Sequence, residues 1–412
     1  MRQDPDVLVI GGGIAGLFCA YHLRRAGRAV AVVERGPVGG PLSCSAGNTG
    51  FVGTQGAAPL AEPGVLRQLR VTPRLDPELL SWLWHFRRAA GGRDRAAGYQ
   101  RLLGLKKRSL EILRDLCASG RLADTFTVPG MVLAYRTADG FAKARRSVEQ
   151  AVANGVPLRV LDPEELRALE PEVEFDIRGA LYNDEGGFLR VPDFVVEFAR
   201  LLAGMGVDIL ERAEVVGFEV TDRVVRRVLT TRGDFRPGET VLAAGAWSAG
   251  CARELNVGLK LQPVKGYSVT VKTPPGAPRR PVLLGEGRIA VAPLGDRLRF
   301  AGALQLSGFD RTVSRRRVDA IRHTVRAYLP RLEHTEILQT WTGFRPCTPD
   351  SLPFLGRAEP YRNLTVCCGH GHIGMGLAPA SGELVAQIVT GQRPDTDVAP
   401  FRVDRYRGRV PT

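Results

Sequence analysis

Lysine is scarce in this chain. Only Lys106, Lys107, Lys143, Lys260, Lys265 and Lys272 occur in 412 residues, and arginine supplies the rest of a formal net charge of +14. The positive charge also forms no long block. Its densest runs, Lys106-Lys107-Arg108 and Arg315-Arg316-Arg317, are too short for a nucleic-acid-binding arm, so no nucleic-acid partner is expected. A peripheral contact with an anionic membrane surface stays open. The seven cysteines include no CxxC pair and no Cys/His metal spacing, which argues against a zinc site or a disulfide framework. Vicinal Cys367-Cys368 cannot bond without strain. A reduced, cytoplasmic chain with buried thiols and no metal is expected, in contact at most with the inner face of the membrane. Long apolar runs are missing too. Val7–Leu23 is the best uncharged candidate, but it is shorter than the ~20 residues that span a bilayer, carries four glycines and His22, and follows the acid Asp6. No internal repeat of solenoid length appears.

Apolar residues make up 44% and charged residues 24%, which suits a globular chain with two or three folding units. Val7–Ile10 is a short apolar β-run. Leu17, Ala20 and Leu23 then recur at helical spacing up to Gly27, and a second β-run, Ala29–Val33, ends at Glu34. Pro41–Gly64 is rich in small residues and reads as a long functional loop. Glu78–Ala90 and Leu102–Ser119 read as helices, with Trp82, Trp84 and Phe86 as packing residues. Phe126–Tyr135 and Ala180–Tyr182 read as strands, Asp193–Gly204 as a helix and Val207–Val220 as β-rich. Thr240–Ala244 is a buried strand running into Gly245. Short β-runs fill Leu259–Leu306, and Val318–Leu329 is helical. Leu364–Cys367 is another buried strand, followed by a glycine-rich turn and a helix over Pro379–Thr390, closed by Gly391.

The first motif is Gly11-x-Gly13-x-x-Gly16 between a strand and a helix, with Glu34 closing the next strand. Gly11 suits the tight turn, Gly13 lets the backbone approach a pyrophosphate, and Gly16 lets helix and strand pack closely. The helix beginning at Ile14 and Ala15 offers its positive end to the phosphates. Glu34 suits ribose hydroxyls and argues against a 2′-phosphate, although Arg35 stands beside it. The second motif is Cys368-Gly369-His370-Gly371-His372-Ile373-Gly374-Met375-Gly376, again between a strand and a helix. A helix terminus there can face a flavin and stabilise charge that develops on reduction. The pair favours FAD; an NAD-dependent dehydrogenase is the rival.

Ser45-Ala46-Gly47-Asn48-Thr49-Gly50, Ala58-Pro59-Leu60-Ala61-Glu62-Pro63-Gly64, Pro263-Val264-Lys265-Gly266-Tyr267-Ser268, Trp341-Thr342-Gly343-Phe344-Arg345-Pro346-Cys347-Thr348-Pro349-Asp350 and Gly369-His370-Gly371 follow in that order. Together they resemble the FAD-dependent D-amino-acid dehydrogenases, within the family of glycine, sarcosine and D-amino-acid oxidases, over nearly the whole chain. The resemblance implies non-covalent FAD. It also implies that Ser45, Asn48 and Gly50 line a flavin loop, Val215 meets the adenine, Gly245 lies against the cofactor, and Arg345 grips the substrate carboxylate. Gly371, His372, Ile373 and Gly374 would complete the cofactor site. The run from His372 to Pro379 resembles the variant in enzymes that oxidise D-proline or cis-4-hydroxy-D-proline. The implied reaction is hydride transfer from Cα of a D-amino or cyclic D-imino acid to flavin N5, with a quinone or dioxygen as the final acceptor.

Taken as chemistry, a guanidinium fork matches a carboxylate with two bonds, so Arg345 suits an anionic substrate. A structural pair with Asp350 is the other reading. Tyr267 is open between a substrate contact and a core tyrosine. His370 and His372 are open between positioning the substrate or flavin and bonding their own turn. The expected architecture is α/β: a discontinuous Rossmann-like FAD-binding domain (1–65, 150–175, 190–255 and 335–395), with an α+β substrate domain on a mixed or antiparallel sheet (66–149, 176–189 and 256–334) and a tail over 396–412. A glycine- or sarcosine-type amine oxidase and a tRNA-modifying flavoprotein remain alternatives.

Overall fold

Val7–Ile10 starts a sheet that is buried on both faces. In the computed structural model, which describes residues 4–56, 59–61, 65, 69–72, 76–92 and 95–406, this strand pairs in parallel with Val30–Glu34 on one side and Glu239–Leu242 on the other. Asp208–Glu211 and Leu364–Cys368 extend the parallel set, and Phe354–Arg357 closes one edge antiparallel. Strand geometry sends alternate residues to opposite faces. Val7, Val9, Val32 and Val241 join one core with the helices Ile14–Arg25, Val191–Gly204 and Gly374–Thr390. Leu8, Ile10, Val33 and Leu242 join the other, under the ribbon Val215–Thr221/Val224–Thr230 and the helix Ser248–Glu254. Two buried faces explain why these strands read as unbroken apolar runs. Ala58, Glu62, Pro63 and Gly64 of the second family-like motif lie outside the described residues, as do residues 407–412 of the tail.

The second sheet is mixed. Ile337–Cys347, Gln262–Lys272, Arg297–Leu306 and Ile289–Leu294 run antiparallel in that order. Val282–Leu284 follows antiparallel, then Met131–Tyr135 parallel to it, then Gly179–Asn183 and Leu158–Leu161. The helix Arg315–Tyr328 packs Val318, Ile321 and Val325 onto it. This sheet corrects two of the expected boundaries. Leu158–Leu161, expected in the cofactor half, pairs with Gly179–Asn183, and Leu161 and Leu166 sit in the second sheet's core. Ile337–Cys347, also expected there, is an edge strand of the same sheet. Conversely, the helix Arg95–Leu116, expected in the substrate half, buries Leu102, Leu105, Leu110 and Leu113 in the first sheet's core. Apolar periodicity tells that a segment is buried, not which core buries it.

Local corrections have local causes. Phe126–Tyr135 splits into Phe126–Thr127 and Met131–Tyr135, because Pro129 lacks a donor and Gly130 turns at φ +79°. The last helix starts at Gly374 rather than Pro379. It runs through the proline, and the next amide, Ala380, donates to Ser109 Oγ at 3.1 Å. On the helix Pro77–Gly91, Trp82 and Phe86 stack at 4.9 Å inside, while Trp84, half a turn round, is 58% exposed. All seven cysteines are free thiols. Among the described residues no helix is long and apolar enough to cross a membrane, and no His/Cys/Asp/Glu group could hold a metal.

Candidate active site

The carboxyl ends of four parallel strands lead into one crevice, where open α/β sheets hold their ligands. Ile10 leads to Gly11, Val33 to Glu34 and Arg35, Leu242 to Ala243–Gly245, and Cys368 to the C-terminal glycine turn. Together they line a cavity of about 340 Å³. Gly11 has φ +114°, and a Cβ there would sit 2.5 Å from the Ala243 carbonyl oxygen. A Cβ at Gly16 would sit 1.9 Å from the Gly11 oxygen. Both glycines therefore serve close packing. Gly13 differs: its nearest neighbour would be Ser45 Oγ at 3.6 Å, and it lines the cavity, so its backbone lies open to a ligand. Ser45 Oγ accepts from the Ile14 amide at 3.0 Å. The Glu34 carboxylate accepts from the amides of Gly12 at 2.7 Å and Gly36 at 3.1 Å, which holds it at the strand end. Arg35 lies flat over Trp247, 3.6 Å from the ring centre. Ile14, Ala15, Val215, Gly245, Asn48, Gly371 and Gly374 also line this cavity.

Gly50 does not line it. A Cβ there would lie 1.9 Å from the Leu189 oxygen, so Gly50 lets two chains cross and is corrected from a cofactor contact to a packing residue. His370 is corrected as well. Its Nε2 lies 3.1 Å from Ser381 Oγ, tying the C-terminal turn to the last helix, and the residue lines the first cavity, not the larger one, so it is corrected only from a substrate contact. His372 and Ile373 line that larger cavity.

The larger cavity, of about 840 Å³, adjoins the first through Cys44, Asn48 and Gly371. Arg345 lines it from the edge strand Ile337–Cys347. Its Nη1 donates to the Ala303 carbonyl at 3.0 Å. Ala303 has φ +61° at a bulge, where Lys265 opposes Gln305 but Tyr267 opposes Gly302. The extra residue turns the carbonyl toward the guanidinium, a strained device typical of functional sites. No carboxylate pairs with Arg345 among the described residues. Asp350 is already taken by Arg405, at 2.9 and 3.0 Å, which removes the structural-pair reading. Tyr267 lines the same cavity, with its hydroxyl donating to Gln305 Oε1 at 3.0 Å. Burial, reinforced by the charges of Arg345, Lys106 and Arg288, pushes His372 down to about 3, so its ring is neutral.

A profile of the FAD dependent oxidoreductase family, DAO, matches residues 6–388. The chain belongs to this family. DAO relatives include a D-amino acid dehydrogenase of Paramagnetospirillum magneticum, 33% identical over 97% of this chain and 98% of that one. Another, of Bradyrhizobium diazoefficiens, is 30% identical over 98% and 99%. Glycine oxidase from Geobacillus kaustophilus superposes with a TM-score of 0.78 at 27% identity, over 99% of this chain and 100% of that one. L-proline dehydrogenase from P. horikoshii has the same fold, with a TM-score of 0.75 at 22% identity over 98% of each chain. The DAO chain is thus an FAD-dependent oxidoreductase acting on amine donors, and its first cavity, with an open Gly13 backbone at a helix terminus, fits the dinucleotide.

Three residues of this DAO site gave no signal in the sequence. Arg299 Nη1 donates to the carbonyls of Ala46 and Asn48, both at 2.8 Å, and so pins the loop before the flavin site to the second sheet. Lys106 lines the larger cavity from the helix Arg95–Leu116, and burial lowers it to about 7. Gln55 lines it from the loop. Each looked like an ordinary surface or loop residue, because burial at these positions is created by segments far apart in the chain.

Proposed function

We propose that the chain oxidises a D-amino acid or a cyclic D-imino acid of the D-proline or cis-4-hydroxy-D-proline type. The observation that carries the reading is Arg345: a guanidinium at a cavity wall, held, among the described residues, by one backbone carbonyl and left without a carboxylate. A substrate carboxylate completes it with two charge-assisted bonds. The two relatives' printed names and the run from His372 to Pro379 favour the D-amino or imino acid.

FAD, when bound along Gly13, Ser45, Val215 and Gly245, supplies the hydride acceptor. The protein's own part is placement. Arg345 fixes the carboxylate, and the neutral His372 ring, Ile373 and Tyr267 line the same cavity. Orientation of Cα–H is then set by the distance from the guanidinium, which is where catalytic advantage arises for such a transfer. Primary amines give an imine that hydrolyses to a 2-oxo acid, and a cyclic substrate gives a pyrroline carboxylate.

A dye-linked screen over paired D- and L-amino acids, including the hydroxyprolines, tests the reading. D-enantiomers should reduce the dye and L-enantiomers should not. Acid precipitation should release free FAD. Peroxide formation with glycine or sarcosine, and none with D-proline, would replace this reading by a glycine-oxidase one, which the G. kaustophilus neighbour favours. Quinone is the proposed acceptor, reached at the inner face of an anionic bilayer through exposed Leu80 and Trp84 beside Arg87 and Arg88. Binding to anionic liposomes should appear at low salt and fade as salt rises. Its absence at low salt, or oxygen turnover exceeding quinone turnover, would sink that part.

A further inference from the structure

Lys106 is a buried lysine without an anion among the described residues. It sits mid-helix, 3% exposed, and its Nζ donates to the Gln55 carbonyl. Its sequence neighbours are engaged elsewhere: Lys107 donates to the Asn154 carbonyl, and Arg108 pairs with Glu111 and Glu383. No carboxylate forms an ion pair with Lys106 among the described residues. Gln55 is tied down beside it, its Nε2 donating to the Val52 carbonyl. A buried lysine without an anion is strongly disfavoured unless it sheds its charge or serves a ligand. Both residues line the cavity that Arg345 lines.

An α-amino carboxylate held at Arg345 brings an ammonium group into the same cavity, and the ammonium proton must leave before Cα can give up hydride. We propose that Lys106 forms the amine subsite of this cavity, its Nζ taking the ammonium proton of the bound substrate while the Gln55 carbonyl holds the side chain in place. The proposal rests on the reading of the chain as an amine-oxidising enzyme. In the step, an N–H bond of the substrate ammonium breaks and leaves its electron pair on the substrate nitrogen. A new N–H bond forms at Nζ, and no electron changes hands.

Burial makes the neutral amine available near neutral pH, and no charged group contributes to that shift. The titratable groups around it do not compete. His372, from the C-terminal turn, is held neutral down to about 3. Glu383, on the last helix, is engaged by Arg108. Arg345 and Arg288 reach this region as positive charges acting on His372 and offer no site for a proton.

The test uses the holoenzyme, its Lys106→Met and Lys106→Arg variants, and the fastest D-amino or imino acid of the screen. Anaerobic flavin bleaching is followed by stopped flow from pH 6 to 10, with FAD occupancy and flavin midpoint potential measured in parallel. Wild type should show an acid limb near neutrality. Both Lys106 variants should bleach about a hundredfold or more slowly at pH 7, within the range of general base catalysis, and their limb should move up to the substrate's own amine ionisation. Occupancy and potential should match wild type. A Lys106→Met rate within threefold of wild type overturns the proposal, as does a Lys106→Arg rate restored to wild type, since a permanent cation takes no proton. A shifted potential or lost FAD in the Lys106 variants would place the residue against the cofactor and also overturn it. If no amino or imino acid bleaches the wild type, the parent reading fails and takes this proposal with it; a bleached wild type with unaffected variants fails this proposal alone.

Discussion

Gly266→Ala should damage turnover through a single methyl group. Gly266 lies on the strand beside Arg345, and a Cβ there would stand 2.0 Å from Nη1, 2.3 Å from Cζ and 2.4 Å from Nη2. Ordinary contact begins at 3.4 Å, so the guanidinium must retreat by more than an ångström and lose its bond to the Ala303 carbonyl. It cannot simply slide along, because its one hydrogen-bonded anchor among the described residues is that carbonyl, fixed by the bulge at Ala303. A misplacement of about 1 Å costs a well-oriented reaction on the order of a hundredfold, or about 2.7 kcal/mol of activation free energy. Gly266 does not line the cofactor cavity, so FAD occupancy should stay at the wild-type level. Steady-state kinetics with the best D-substrate, alongside flavin absorbance per chain, measures both. An unchanged kcat/KM would show that the substrate carboxylate is not held at this guanidinium, and loss of FAD would show that the two cavities are mechanically coupled.

Arg345→Lys keeps the charge but loses the fork, and kcat/KM should fall roughly ten- to a hundredfold, the worth of a charge-assisted bond at ~1.5–3 kcal/mol, with FAD retained; wild-type kinetics would remove Arg345 from the substrate site. Arg299→Met removes both bonds to the Ala46 and Asn48 carbonyls, so FAD affinity measured by flavin fluorescence should weaken at least tenfold, and equal affinity would show that the loop holds itself. Stability should depend on His22 and His372, which burial holds down at about 4 and about 3 against an ordinary 6.5. Between those values the unfolded chain binds more protons than the folded one, so the thermal midpoint should fall as pH drops from about 6.5 toward 4, and His22→Gln should flatten that slope; an unaltered slope would contradict a neutral His22.

The βαβ unit and the cofactor class were legible in the sequence because they depend on short-range rules. Gly11, Gly13 and Gly16 answer to backbone geometry within one turn, and the strand ahead and helix behind are set by local apolar pattern. The C-terminal strand and its glycine turn were legible for the same reason, though the helix start was not, since only Ser109, on another helix, takes the amide after Pro379. Arg345 was legible as chemistry but not as geometry: Asp350 lay five residues away, and only the fold shows it taken by Arg405 from the far end of the chain. His370 and His372, two residues apart, part company in space, one bonded to Ser381 at the first cavity and one at the wall of the larger cavity.

Lys106 marks the boundary most sharply. In the sequence it is one cation in a run of three, and such a run is normally solvated. Only the packing of its helix on the last helix, and of the Gln55 loop over both, removes its water and leaves it without an anion. The sequence by itself determined the nucleotide-binding turns, the alternation of the buried strands and the residue types available for chemistry. Tertiary structure alone decided which of those residues share a cavity, which core claims each segment and which charges lose their solvent, because burial is a sum over segments distant in the chain and no local pattern contains it.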